Sequence, residues 1–125
     1  MTSNIYHSDD AERWSDARIL ELLRFETRVI DSTSGKEHHY RGSNAEWKTV
    51  PNFLKAESMV ELIEVMRKNG WSLKTKTFDF VTKLPYAASF KKKDYESDWG
   101  LGLTLQKAVK EAALKALVKE KEYVK

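Results

Sequence analysis

The chain has 125 residues, a net charge of +3, 41% hydrophobic and 33% charged residues, and no cysteine. Such a chain suits one soluble globular domain that buries about two thirds of its unfolded surface, and it excludes disulfides, thiolate metal sites and a cysteine nucleophile. No apolar run approaches the ~20 residues that span a bilayer, and residues 1–7 lack the basic start and apolar centre of a secretory signal, so the expectation is a cytoplasmic protein without membrane contact.

Residues 1–10 read as a flexible polar terminus, ahead of a single α+β domain over 11–125. Trp14, Ala17, Ile19, Leu20, Leu22 and Leu23 give a helical face between Ala11 and Phe25. The period then drops to two. Phe25, Thr27 and Val29 alternate with Glu26 and Arg28, as on a strand with one wet face. A turn is predicted at Asp31–Lys36, with Glu37–Tyr40 returning as a second strand. Trp47–Asn52 reads as an extended approach ending at Pro51. A second helix is predicted from about Lys55 to Lys68, with Met59, Leu62, Ile63 and Met66 as its core stripe. Arg67 and Lys68 suit the negative end of its dipole, and Asn69-Gly70 supplies a left-handed stop.

Trp71–Val81 is predicted as a strand. Trp71, Leu73, Thr75 and Thr77 point one way, and Ser72, Lys74, Lys76, Phe78 and Phe80 the other. After a turn at Thr82–Pro85, Tyr86–Phe90 returns with Tyr86, Ala88 and Phe90 on one face. The last helix, Thr104 to about Tyr123, is entered through Asp98-Trp99-Gly100-Leu101-Gly102. Leu105, Ala108, Val109, Ala112, Ala113, Ala116 and Leu117 form its apolar stripe, which is rich enough in alanine to lie close against a sheet. The expected architecture is an α-β-α layered sandwich. A small antiparallel sheet is packed by the long C-terminal helix, in the order α-β-(β)-α-β-β-α.

Charge is uneven: the stretch from Arg67 to Tyr95 carries a net +6, which leaves −3 for the rest. Lys74 and Lys76 with Phe78 and Phe80, then Lys91, Lys92 and Lys93 with Tyr95 and Trp99, interleave cations with rings. Such a surface can hold phosphate and stack a base, and these nine residues are the candidate ligand or partner site. The bland alternative is a solvated strand with a lysine-protected edge. His38 and His39, adjacent on a strand, face opposite sides and cannot share a metal. Glu61, Glu64 and Glu111 sit opposite the apolar stripes, and no G-x-S-x-G elbow or P-loop is present. No catalytic residue, metal or cofactor is expected. Trp14, Trp47, Trp71 and Trp99 are many for one small core, so a homo-oligomer is expected.

Val50-Pro51-Asn52-Phe53, the helix ending Met66-Arg67-Lys68-Asn69-Gly70-Trp71, the strand Tyr86-Ala87-Ala88-Ser89-Phe90 and the run from Leu103 to Leu117 together resemble the phage ABA-sandwich family. The likeness covers roughly Trp47 to Leu117. The chain departs from it at Leu54-Lys55, where Ser-Thr is common, and at Glu26-Thr27, where Gly-Trp is common. The resemblance implies α-β-α layering and a phage origin, and carries neither an activity nor catalytic residues. Gly100-Leu101-Gly102 with Lys107, Lys110 and Ala112-Ala113 also resembles the double-stranded-RNA-binding domain, whose last helix opens with adjacent lysines aimed at phosphates. Here it opens Thr104-Leu105-Gln106-Lys107, without that pair. The expected function is therefore non-enzymatic binding by a phage accessory protein in counter-defence, either blocking a host protein or sequestering a signalling nucleotide. The alternative is a nucleic-acid-binding module.

Overall fold

No glycine or proline interrupts residues 3–22, and they form one helix, α1 (Ser3–Leu22). It starts well before Ala11, through most of the stretch expected to be loose. Arg24 takes a positive φ of 77° and closes the helix, with the Phe25 amide donating to Leu20 O at 3.0 Å. The computed structural model describes residues 3–33, 35–77, 83–93 and 95–123. These residues make an α+β fold of three helices and two small antiparallel sheets, with the C-terminal helix packed on the strands of one sheet. The strands sort into two sheets because each hairpin pairs with its own sequence neighbours. The chain divides into two compact units, Met1–Asn52 and Phe53–Lys125.

In the first unit, β1 (Glu26–Ser32) pairs antiparallel with β2 (Gly35–Arg41), in a register running from Glu26↔Arg41 to Ser32↔Gly35. A short β3 (Lys48–Thr49) continues the sheet at His39↔Thr49. Helix α1 packs on β1 and β2 and buries Ala17, Ile19 and Leu20, with Leu23 just beyond it also buried. Asp16 falls on that same stripe and is also buried. The sheet face toward the helix carries His38, which meets Trp14 edge-on at 4.7 Å between ring centroids, and Tyr40, which meets Phe25 at 5.5 Å. The opposite face carries Glu26, Arg28, Ile30, Glu37, His39 and Arg41.

The second unit begins with α2 (Ala56–Lys68), whose buried stripe is Ser58, Leu62 and Met66. Gly70, at φ 94°, turns the chain as the Trp71 amide donates to Met66 O at 3.0 Å. Then follow β4 (Ser72–Thr77), β5 (Tyr86–Lys92), β6 (Tyr95–Glu96), β7 (Gly100–Gly102) and α3 (Leu105–Tyr123). Strand β5 is central, with β4 on one edge and β6 and β7 on the other. The Thr104 hydroxyl caps α3 by accepting from the Lys107 amide at 3.1 Å.

Helix α3 lies on β5 and β7, and α2 packs against α3 and β4. The covered sheet face carries Ala88 and Phe90, both fully buried, and Gly100 and Gly102. Burying Phe90 contributes about 2–3 kcal/mol. The two glycines let the helix backbone come close: a Cβ at Gly100 would collide with Ala112 N and Ala108 O, and one at Gly102 would meet Lys107 Cβ at 2.7 Å. Ala108 and Ala112 meet this floor, and Ala113 and Ala116 on the same helix are completely buried as well.

Candidate ligand-binding face

Strand alternation gives the β4–β5–β7 sheet a second face, turned away from α3. The register places Ser72, Lys74 and Lys76 beside Lys91, Ser89 and Ala87, with Leu101 beside Ala87. Trp99, in the segment between β6 and β7, joins this face. The ammoniums of Lys74 and Lys76 stand 5.8 and 6.0 Å from its ring centroid. Cations at that range are attracted to the ring by about 0.5–1 kcal/mol at an exposed site. Glu96 holds Lys74 Nζ at 3.7 Å and accepts a hydrogen bond from Ser89 Oγ at 3.4 Å. On the other side of the segment, Lys115 of α3 donates to the Trp99 carbonyl at 3.0 Å, anchoring the tryptophan's backbone. Trp99 keeps 37% of its surface exposed, and Leu101 43%. The arrangement offers two ammoniums, a partly exposed ring and an apolar shelf to one ligand.

The nine expected residues do not all gather there. Lys74, Lys76, Lys91 and Trp99 belong to the open face, with Lys91 exposed at its end beside Ser72 and Glu96. Lys92 points the other way. It donates to Glu120 of α3 at 2.6 Å and stands 5.5 Å from the Trp71 ring. Tyr95, opposite Lys92, packs on Trp71 at 5.6 Å, with Lys119 Nζ 5.3 Å from its own ring. Lys92 and Tyr95 therefore tie β5 and β6 to the covered side. Lys93 is exposed at the turn after β5 with φ 56°. Phe78 and Phe80 lie outside the described residues.

The lysines that carry the likeness to a double-stranded-RNA-binding domain are engaged elsewhere. Lys107 pairs with Glu111 at 3.1 Å, and Lys110 is only 2% exposed. His38 and His39 do face opposite sides: His38 is buried, while His39 Nδ1 accepts from Arg28 Nε at 3.1 Å. Among the described residues no group of three or more His, Asp or Glu could hold a metal ion, and no helix is long and apolar enough to cross a membrane. The exposed Glu64 carboxyl is held below its ordinary range by the hydrogen bond it accepts from Arg67. A shallow open groove of about 440 Å³ runs along α3 between Asp98, Leu114, Lys115, Val118, Lys119 and Glu122, but Lys115 and Lys119 are already committed to Trp99 and Tyr95.

Sequence reasoning missed β6 and β7. The signal for β7 was present, since glycines two apart on a strand leave one face without side chains. No protein-family model matches the chain, and no curated protein or solved structure matches it either.

Proposed function

We propose that the protein works by binding rather than catalysis, and that its ligand is a nucleotide held on the open face of the second unit. The observation that carries this reading is the grouping of Lys74, Lys76 and exposed Trp99 on a sheet face that no helix of that unit covers. The ammoniums suit phosphate oxygens, the indole suits a base, and Leu101 extends the apolar shelf. The likeness to phage proteins supplies the setting: an accessory factor in the host cytoplasm that sequesters a signalling nucleotide and so counters defence. Leu101 and Leu103, 43% and 69% exposed, favour a second copy of the chain closing over the bound ligand.

A second reading, single-stranded nucleic acid, is favoured by Lys91, which extends the basic row along the same face. Salt separates the two. A polymer contacting several phosphates loses affinity steeply as salt rises, because each contact releases counterions, whereas a mononucleotide loses far less. Isothermal titration with nucleoside monophosphates, a cyclic dinucleotide and a short oligothymidylate, at two salt concentrations, tests both. Saturable binding that Lys74→Ala/Lys76→Ala clearly weakens is expected. Binding that survives those substitutions unchanged would remove the site.

A further inference from the structure

The first unit holds another tryptophan beside two cations, at shorter range. Arg28 and Arg41 are diagonal neighbours on the hairpin face turned away from α1, since Arg28 pairs with His39 and Arg41 with Glu26. Trp47, from the segment leading into β3, lies against both. The guanidinium carbons stand 4.2 and 4.3 Å from its ring centroid, at stacking distance. Each Nε is turned onto the hairpin: Arg28 Nε donates to His39 Nδ1 at 3.1 Å, and Arg41 Nε to the Glu26 carboxylate at 2.5 Å. Among the described residues, the terminal amino groups of both arginines make no hydrogen bond.

Two like charges on diagonal hairpin positions repel unless something compensates them. Glu26 compensates one, and one remains. Glu37 stands 3.4 Å from Nε2 of His39, on the far side of the imidazole from Arg28. The ring contact and the Nε bond together restrict each guanidinium, and its two terminal nitrogens are left as a fork for a ligand. Such forks match the paired oxygens of a phosphate. Because the rotamers are already restricted, ordering them on binding loses little entropy.

We propose that Arg28, Trp47 and Arg41 form a binding site for a phosphate group, supplied either by free phosphate or by a nucleic-acid backbone. This site uses none of the residues of the nucleotide face and stands or falls without it.

The test is a titration of the full ¹⁵N-labelled chain at constant ionic strength with inorganic phosphate, with a short oligothymidylate, and with chloride as the control. Saturable shifts of the Arg28 and Arg41 Nε–H and Trp47 Nε1–H signals are expected with phosphate or the oligonucleotide and not with chloride. Saturation by both probes, or by phosphate alone, assigns the site to a free phosphate group. Saturation by the oligonucleotide alone assigns it to a nucleic-acid backbone. Arg28→Lys/Arg41→Lys keeps the charge but loses the stacked fork, and should weaken binding about tenfold. Should that variant fail to fold, Arg28→Lys alone serves, because Arg28 has no carboxylate partner. Unsaturable shifts equal to those in chloride, or undiminished affinity in the lysine variant, would overturn the proposal and leave the stack as a clamp for the 42–47 segment.

Discussion

The two faces of the β4–β5–β7 sheet are built on opposite principles. On the covered face side chains are pared away: Gly100, Gly102 and Ala88 meet Ala108 and Ala112, so that α3 rests nearly backbone to backbone. On the open face Ala87 and Ser89 are small and buried, but the side chains around them are long, charged or aromatic, and Lys74, Lys76, Lys91, Trp99 and Leu101 stay exposed. The same strands serve both, because alternate residues point to opposite sides. The covered face carries packing and leaves no room for a ligand, whereas the exposed side chains of the open face add little stability. A residue's role in this unit therefore follows from its parity along the strand more than from its chemistry, as adjacent Lys91 and Lys92 illustrate.

Substitutions can break that division or sharpen it. The largest effect is expected at Gly100, where Gly100→Ala drives a Cβ into the α3 backbone. Overpacking of this kind costs about 1–3 kcal/mol, read as a lower urea midpoint. An unchanged midpoint would mean that α3 does not sit this close. On the open face, Lys74→Ala/Lys76→Ala with Trp99→Ala should cut nucleotide affinity at least about tenfold while leaving circular dichroism and melting nearly as in the parent. The neighbouring lysines come next. Lys92→Ala should lose about 0.5–1 kcal/mol of stability through its contacts with Glu120 and Trp71, with affinity intact, and Lys91→Ala should do the reverse. The smallest effect belongs to Glu64. Its carboxyl sits below the ordinary value of 4.5 in the folded state, through the hydrogen bond from Arg67, so it stabilises α2 at neutral pH and loses that contribution as pH falls through the folded-state value. Paired melts of the parent and Glu64→Gln should show a slight gap at neutral pH that closes in acid. A gap that persists in acid would contradict the assignment.

Much of the fold was legible in the sequence because its signals are periodic. The stripe of α3 and the Tyr86–Ala88–Phe90 face follow from 3.6- and 2-residue spacing, and the Asn69-Gly70 stop from helix-cap chemistry. The start of α1 was not legible, since the polar residues before Ala11 show no apolar period and only the lack of a breaker marks them as helical. Strand β7 was obscured because Gly100 and Gly102 look like a loop when α3 is not there to explain them. Within the candidate site, Lys74 and Lys76 could be placed on one face by counting. The position of Trp99 beside them could not, because it depends on pairing between β5 and β7. Trp47 lies beyond counting for the same reason, since a loop residue carries no period that would bring it against Arg28 and Arg41.

Ligand binding at Trp99 is tested most directly by ¹⁹F NMR of the 5-fluorotryptophan-labelled chain. Its four tryptophan signals can be assigned by single Trp→Phe substitutions and followed during titration with nucleoside monophosphates, a cyclic dinucleotide and an oligothymidylate. The Trp99 signal is expected to move saturably with at least one probe while buried Trp71 stays still. A Trp99 signal unmoved by every probe would contradict ligand binding at this face.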